Sequence, residues 1–156
     1  MTYDLCIIGG GINGVGIARD AAGRGLKVLL LEKGDLAGAT SSASSKMIHG
    51  GLRYLEFFEF GLVRKSLAER EVLLRIAPQI VHPIRLCIPQ NFTTRPAWMV
   101  RLGLFIYDHL WSGRTLPSST YIHLHTHPYG RVLKKGKNAG FAYSDCWVDD
   151  ARLVVL

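Results

Sequence analysis

The sequence predicts an α/β fold built around a parallel sheet, and three features near its amino terminus support this prediction. Residues 4–8 form a short apolar run that ends in consecutive glycines, as expected for a buried parallel strand that stops at a tight turn. Small apolar side chains then recur at helical spacing over residues 13–24, and a second apolar run spans residues 27–32. Strand, helix and strand within about 30 residues indicate a right-handed β-α-β unit.

The turn between the first strand and the helix has the pattern Gly9-x-Gly11-x-x-Gly14. In a Rossmann-like unit the first glycine makes the turn, the second lets backbone N–H groups approach a pyrophosphate, and the third lets helix and strand pack closely. Glu32 ends the second strand, where a carboxylate accepts hydrogen bonds from ribose hydroxyls and repels a 2′-phosphate, so NADP is disfavoured. We therefore assign dinucleotide contacts to Gly9, Gly11, Ile12, Asn13, Gly14, Glu32 and Lys33.

A stretch of small polar residues follows the acidic residue and helps to decide between FAD and NAD. Residues 34–45 are predicted to form a loop, and residues 39–46 supply hydroxyls, main-chain donors and one cation. These groups suit the phosphates and ribityl chain of a longer cofactor. The pattern favours a flavin over NAD, with a serine-rich surface loop as the alternative, and the candidate contacts are Thr40, Ser41, Ser45 and Lys46.

The remaining sequence predicts further elements but not a complete dinucleotide-binding sheet. We expect an amphipathic helix over residues 60–77, a strand over 84–88, a helix over 96–111 and a strand over 140–143. Residues 149–156 have the pattern of a helix start. Such a sheet usually has about five or six strands and this sequence offers about four, so we expect an incomplete fold.

The predicted segments are a cofactor unit (1–60), a helical and substrate-domain segment (61–140) and a return to the cofactor domain (141–156).

Composition and charge narrow the function classes. The net charge of +7 favours an anionic partner, but no motif for reading DNA or RNA is present, so nucleic acid is not an expected partner. Cys6, Cys87 and Cys146 are far apart and form no Cys-x-x-Cys pair, which indicates a reducing compartment rather than a disulfide framework or zinc site. The first residues lack the features of a secretory signal, so we expect a cytoplasmic protein.

Two segments allow alternative interpretations. His123, His125 and His127 alternate, and on a strand they would project from one face about 7 Å apart, a spacing that suits a divalent metal. No carboxylate or cysteine is nearby, so surface histidines and no metal are predicted.

The apolar segment 97–107 is too short to span a bilayer. It would either face the core, which is favoured, or lie at a membrane interface through Trp98, Met99, Phe105 and Tyr107 with Arg95, Arg101 and Arg114.

Three blocks of the sequence resemble one family. Residues 8–25 closely resemble the signature of FAD-dependent glycerol-3-phosphate dehydrogenases, residues 40–56 resemble their flavin and substrate segment, and residues 143–153 resemble a later motif. The family's proteins are several hundred residues long, so the resemblance implies their opening part. It also implies a Rossmann-like FAD-binding domain of the glutathione-reductase and amino-acid-oxidase type, with the start of a substrate domain.

The resemblance implies an activity as well. Enzymes of this family oxidise sn-glycerol 3-phosphate to dihydroxyacetone phosphate, pass hydride to FAD, and transfer the electrons to quinone. Peripheral association with the cytoplasmic face of the membrane and a homo-oligomeric assembly follow as expectations. Arg53 offers a planar fork suited to a phosphate, Tyr54 adds a hydroxyl, and His49 is placed to orient or accept the substrate's hydroxyl proton.

Three alternatives remain open from the sequence. His49 could instead pack in the turn made by the two glycines that follow it. Arg53 could hold a carboxylate in a related amine or amino-acid oxidase. The chain could also be a catalytically inactive dinucleotide-binding fragment, and in isolation we expect it to be inactive.

Overall fold

A computed structural model describes residues 2–90, 95–133 and 139–149. The chain divides into two compact units: unit 1 comprises residues 1–47 and 148–156, and unit 2 comprises residues 48–147. The functional segments predicted from the sequence, 1–60, 61–140 and 141–156, concern a larger protein and stay a prediction. The predicted helix start over residues 149–156 lies almost wholly outside the described residues.

Unit 1 contains the predicted β-α-β unit. Strand β1 (Leu5–Ile8) and strand β2 (Val28–Leu31) are parallel, and helix α1 (Ile12–Gly23) connects them. The register pairs Leu5 with Val28 and Ile8 with Leu31. The helix ends where the Arg24 N–H bonds back to the carbonyls of Asp20 and Ala21, and Gly25 then takes a left-handed conformation with φ of 83°. The element order and the α/β class agree with the sequence prediction.

The glycine-rich turn lets α1 approach β1 closely. Gly9 has a φ of 109°, a backbone conformation that residues with a Cβ rarely adopt. A Cβ added to Gly14 would lie 2.0 Å from the carbonyl oxygen of Gly9, which leaves no room for a methyl group. The roles expected of the first and third glycines of the motif are therefore present in the backbone.

The segment after β2 differs from the predicted loop because it contains one short helix, α2 (Thr40–Ala43). Ser42 stabilises this turn, since both its N–H and its hydroxyl donate to the carbonyl of Ala37, at 3.1 and 2.6 Å. Ala37 itself has a φ of 62°. Local hydrogen bonds of this kind are invisible to hydrophobic periodicity, which explains why the sequence predicted only a loop.

Among its described residues, unit 2 combines two α-helices with a sheet. Its helices are α3 (Phe60–Ile76) and α4 (Ala97–His109), with short 3-10 helices at Leu52–Phe57 and Pro128–Val132. Its sheet has the order β3-β6-β4, from β3 (Met47–Ile48), β6 (Ala139–Val148) and β4 (Val81–Pro89). Strand β5 (Thr120–His123) pairs antiparallel with β6.

The helices agree with the sequence prediction, whereas two strands are longer than predicted. Strand β4 begins at Val81 instead of residue 84, and β6 extends to Val148 instead of residue 143. The hydrophobic pattern predicted too short a strand for β6, because this strand contains two polar residues that are buried, Ser144 and Asp145. Their polarity hides a central strand, since the partners that satisfy them are distant in sequence.

Two apolar clusters lie among the described residues of unit 2. Val63 and Leu67 of α3 pack with Tyr107 of α4, and Ile122, Leu124 and Ala142 form a second cluster. Tyr107 is 3% exposed. The alternative that placed Tyr107 at a membrane interface is therefore wrong, because its ring belongs to the core.

The segment that contains His123, His125 and His127 does not form one continuous strand. Strand β5 ends at His123, whose carbonyl accepts the N–H groups of Thr126 and His127 at 3.2 and 3.0 Å and closes a turn. His125 and His127 therefore do not alternate along a strand with His123. Within residues 2–90, 95–133 and 139–149, no group of three His, Cys, Asp or Glu side chains is arranged to hold a metal ion.

The outer face of α4 carries large apolar side chains. Trp98, Met99, Leu102 and Phe105 are exposed on this helix, and Arg101 is exposed among them. Arg95 and Arg114, the other two arginines of the interface alternative, form ion pairs with Glu56 and Asp108. None of the described helices is long and apolar enough to cross a bilayer.

The close approach at Gly14 leads to a stability prediction with a control in the same helix. Gly14→Ala should lower the free energy of unfolding by about 2 kcal/mol or more, because its methyl would overlap the Gly9 carbonyl. Gly16→Ala meets no atom within 4 Å and should raise it by about 0.5–1 kcal/mol, the usual gain of alanine over glycine in a helix. Denaturant unfolding of both variants measures the difference, and equal effects would contradict the packing described.

Candidate cofactor and substrate sites

The amino terminus of α1 lies beside two groups that the sequence assigned to cofactor binding. Gly10 donates its N–H to Glu32 Oε2 at 2.6 Å, and Ile12 donates its N–H to Ser41 Oγ at 3.0 Å. A Cβ on Gly11 would lie 3.3 Å from the same Ser41 oxygen. The structure thus brings the glycine-rich turn, the end of β2 and α2 together, although the last two come well after the turn in sequence.

Glu32 is held in one orientation by the backbone. Its Oε1 accepts the N–H of Gly34 at 3.0 Å while Oε2 accepts that of Gly10. The N–H of Gly10, and then that of Gly34, hold the pKa of Glu32 below its usual value, so this carboxylate is ionised at neutral pH. The side chain is exposed, and an ionised carboxylate has lone pairs for further donors such as ribose hydroxyls.

The remaining candidates of unit 1 are Asn13, Lys33, Thr40, Ser45 and Lys46. Lys46 has a φ of 57° and donates its ammonium group to the carbonyl of Ser42 at 3.0 Å, within its own segment. Asn13, Lys33, Thr40 and Ser45 are exposed. Their contacts with a cofactor stay a prediction.

The groups of unit 1 fit a dinucleotide. The turn has no room for a Cβ where helix and strand meet, the helix presents N–H groups at its amino terminus, and an ionised acceptor ends the adjacent strand. Backbone N–H groups and the helix dipole stabilise a pyrophosphate, and the carboxylate accepts from a ribose.

The substrate candidates lie in unit 2, on either side of a turn made by Gly50 and Gly51. Gly51 has a φ of 75°, and the 3-10 helix that follows carries Arg53 and Tyr54. The ring of Tyr54 covers Gly51, since a Cβ there would lie 2.4 Å from Tyr54 Cδ2. Arg53 and Tyr54 are exposed in the same turn of helix, and no carboxylate among the described residues forms an ion pair with Arg53. His49 is also exposed.

Below this turn lies a buried polar network that sequence reasoning missed. Arg70 of α3 donates to Asp145 Oδ1 at 2.9 Å and to Glu71 Oε1 at 3.0 Å. Tyr107 donates its hydroxyl to Asp145 Oδ1 at 2.6 Å, and Gly50 donates its N–H to Tyr107 at 2.9 Å. The four side chains are 2–5% exposed. The sequence feature that could have revealed this network is the pair of polar residues at positions 144 and 145, which lies between apolar neighbours.

Burial sets the protonation of this network. Burial first, and the neighbouring Asp145 carboxylate second, raise the pKa of Tyr107 far above its usual value, so the phenol stays neutral and is a donor to Asp145. Burial opposes the charge of Arg70, but the bonds to Glu71 and Asp145 outweigh it and its pKa is raised. Removing one partner of such a buried pair typically costs about 3–5 kcal/mol, because it leaves an uncompensated charge.

Comparison with known proteins adds independent information. Residues 4–156 match the model of the family described as FAD dependent oxidoreductase. The chain is 60% identical over 155 residues to D-erythritol 1-phosphate dehydrogenase of Brucella abortus and 62% identical over 154 residues to aerobic glycerol-3-phosphate dehydrogenase of Escherichia coli. Each alignment covers 99% of this chain, and the chain spans 31% and 30% of those two proteins.

A solved structure agrees with the fold. The glycerol-3-phosphate dehydrogenase of Bacillus halodurans, solved in complex with FAD, matches with a TM-score of 0.58 and 27% identity over 99% of this chain and 23% of its own. This match supports the predicted fold class. The family match and this relative also agree with the flavin that the sequence favoured over NAD.

The geometry of Glu32 yields a prediction for cofactor binding, to be measured in the complete protein that contains this chain. Glu32→Gln should weaken FAD binding by about tenfold or more, because a neutral amide replaces an ionised acceptor at the ribose position. Asp4→Asn is the control, since Asp4 also accepts a backbone N–H, from Lys27 at 2.8 Å, but at the opposite end of the strands. Titration of the apoprotein with FAD measures both affinities, and an unchanged affinity in Glu32→Gln would remove this residue from the site.

Proposed function

Because the chain belongs to the FAD-dependent oxidoreductase family, we propose that it forms the amino-terminal, FAD-binding part of a dehydrogenase for sn-glycerol 3-phosphate. The observation that carries this proposal is its 62% identity to the Escherichia coli aerobic glycerol-3-phosphate dehydrogenase across nearly the whole chain. The chain spans about 30% of the curated relatives that it matches, so the activity is proposed for the complete protein. The 156-residue chain alone is expected to be inactive.

The residues of unit 1 would hold the cofactor by its adenosine diphosphate portion. The N–H groups of the first turn of α1 beyond Ile12 would bind the pyrophosphate, and Glu32 would accept from the ribose. Ser41, whose Oγ accepts the Ile12 N–H, would contribute its hydroxyl proton beside Gly11. When bound, FAD supplies the acceptor for the hydride that leaves the substrate carbon.

The exposed turn of unit 2 would bind the substrate. The guanidinium of Arg53 presents a planar fork that matches two phosphate oxygens, and the Tyr54 hydroxyl adds a third contact. His49 would orient the secondary hydroxyl of the substrate and accept its proton as that carbon becomes a carbonyl. The exposure of all three side chains supports this assignment, because a substrate must reach them.

A second polyol phosphate is a specific alternative. The relative from Brucella abortus is a D-erythritol 1-phosphate dehydrogenase and is 60% identical to this chain. Erythritol 1-phosphate carries the same phosphate and an oxidisable hydroxyl on a chain one carbon longer, so Arg53 and Tyr54 suit both substrates. An amine or amino-acid oxidase, in which Arg53 would hold a carboxylate, remains the third reaction to be tested.

We further propose that the complete enzyme passes its electrons to quinone at the cytoplasmic face of the membrane. The exposed apolar face of α4, with Trp98, Met99, Leu102 and Phe105, supports peripheral contact with lipid. Arg101 lies among these residues and would interact with anionic headgroups. Assembly of the complete protein as a homo-oligomer is also compatible with this proposal.

The role of Arg53 is tested by kinetics of the complete protein. Arg53→Lys should raise the KM for glycerol 3-phosphate by about tenfold or more, since an ammonium group cannot form the bidentate contact. Arg75→Lys, at an exposed arginine near the end of α3, should leave KM unchanged.

The same assay decides between the three reactions. Turnover is measured with glycerol 3-phosphate, erythritol 1-phosphate and glycine. The proposal requires the largest kcat/KM for glycerol 3-phosphate. Preference for erythritol 1-phosphate would transfer the assignment to that substrate, and oxidation of glycine alone would replace the dehydrogenase by an oxidase.

The membrane proposal is tested by co-sedimentation with vesicles that contain phosphatidylglycerol. Trp98→Ser should lower the partition of the complete protein by about tenfold, because the side chain is 65% exposed in water and its indole would be buried at the interface. Tyr3→Ser, at an aromatic residue of unit 1 that is 47% exposed, serves as the control. Equal effects of the two substitutions would remove α4 from the lipid contact.

A further inference from the structure

The backbone amide of Gly50 is held from inside unit 2. Its N–H donates to the Tyr107 hydroxyl at 2.9 Å, and Asp145 Oδ1 lies 3.4 Å from the same nitrogen. All three groups are buried. A buried N–H that lost both acceptors would be left unsatisfied, so these contacts define one position for the amide.

The Tyr107 hydroxyl is itself held in one orientation. It donates to Asp145 Oδ1 at 2.6 Å, and Arg70 donates to the same oxygen at 2.9 Å. Because the proton of the hydroxyl is committed to Asp145, a lone pair of its oxygen is available to Gly50. The donors therefore run from the turn to α4 and from α4 to β6, and Arg70 of α3 donates to the same Asp145 oxygen from the other side.

Close packing allows the turn little freedom to move. A Cβ on Gly50 would lie 2.4 Å from Leu67 Cδ2 and 2.6 Å from the Tyr107 hydroxyl oxygen, so the backbone lies directly against both side chains. Gly51, in its left-handed conformation, is covered by the ring of Tyr54. The 3-10 helix with Arg53 starts at the next residue, Leu52.

We propose that Tyr107 is a positioning residue of the substrate site: its hydroxyl fixes the Gly50 amide and thereby the turn that presents Arg53 and Tyr54 to the phosphate. This inference rests on the proposed function and deepens it. Tyr107 is buried beneath the turn and acts through the backbone, without contact to substrate. A bidentate phosphate contact depends on small displacements of the guanidinium, so the loss of this restraint weakens substrate binding more than cofactor binding.

The test compares two hydroxyl deletions in the complete holoenzyme. Tyr107→Phe removes the nearer acceptor of the Gly50 N–H, leaves only Asp145 Oδ1 at 3.4 Å, and keeps the ring in the core. The expected result is an increase of about three- to tenfold in the KM for glycerol 3-phosphate, with kcat changed less than KM and FAD content unchanged. Tyr143→Phe is the matched control, since Tyr143 packs edge-on against Tyr107 with ring centroids 6.1 Å apart but does not contact Gly50 through its hydroxyl.

A double-mutant cycle separates positioning from loss of stability. If Tyr107 acts by placing Arg53, the combination of Tyr107→Phe with Arg53→Lys raises KM little beyond the larger of the two single effects. If Tyr107 only stabilises the fold, the KM increases of the two single variants multiply in the double variant, and this outcome overturns the proposal. An equal KM increase in Tyr143→Phe also overturns it.

The outcomes distinguish this inference from the function on which it rests. An unchanged KM in Arg53→Lys would remove the phosphate role of Arg53 itself. A raised KM in Arg53→Lys together with a normal KM in Tyr107→Phe would overturn only the positioning role. Should Tyr107→Phe fail to bind FAD, hydrogen exchange of the unsubstituted protein still decides, because the proposal requires a slowly exchanging Gly50 amide and fast exchange contradicts it.

Discussion

A guanidinium buried almost completely needs compensation of its charge, and in this protein Arg70 receives it from two carboxylates, which accept from its two terminal NH₂ groups. Asp145 comes from the central strand β6, and Glu71 follows Arg70 on α3. Glu71 in turn accepts the N–H and hydroxyl of Thr115, at 3.1 and 2.8 Å, which ties the segment after α4 to the same charge. Helix α3, strand β6 and the segment after α4 are therefore all bonded to the same group of buried charges. A shift of any one of them would leave a buried ion without its partner.

This arrangement contributes more to the placement of backbone than to net stability. A buried ion pair often gains little over apolar residues of the same volume, because desolvation offsets its attraction. Its hydrogen bonds are directional, however, and here they extend through Tyr107 to the buried amide of Gly50, three residues before Arg53. An apolar core could fill the same space but could not specify the position of that amide. The polar interior of unit 2 is therefore best understood as a support for the exposed arginine turn.

Sequence reasoning succeeded where the physical cause was local. The β-α-β unit and the glycine motif follow from residues within one short stretch, and the acidic residue at position 32 lies at the end of the adjacent strand. It failed where partners are remote: Arg70 and Asp145 are 75 residues apart, and Gly50 and Asp145 are 95 residues apart. The same distance explains why β6 appeared too short and why Tyr107 was considered for a membrane surface. The exposed candidates His49, Arg53 and Tyr54 came from a family resemblance, since no periodicity marks an exposed functional residue.

The burial of Cys146 in β6 has a consequence for the chemical reactivity of the chain. Its side chain is inaccessible, and burial raises the pKa of its thiol to about 11, so almost no thiolate is present at neutral pH. Cys6, on β1, is exposed. One thiol of unit 1 is therefore open to alkylating reagents in the native state, whereas this thiol of unit 2 becomes reactive only when its strand opens. Cys6 therefore reacts whether or not unit 1 is intact, and Cys87 of unit 2 is partly exposed, so alkylation of Cys146 is the modification that reports the opening of β6.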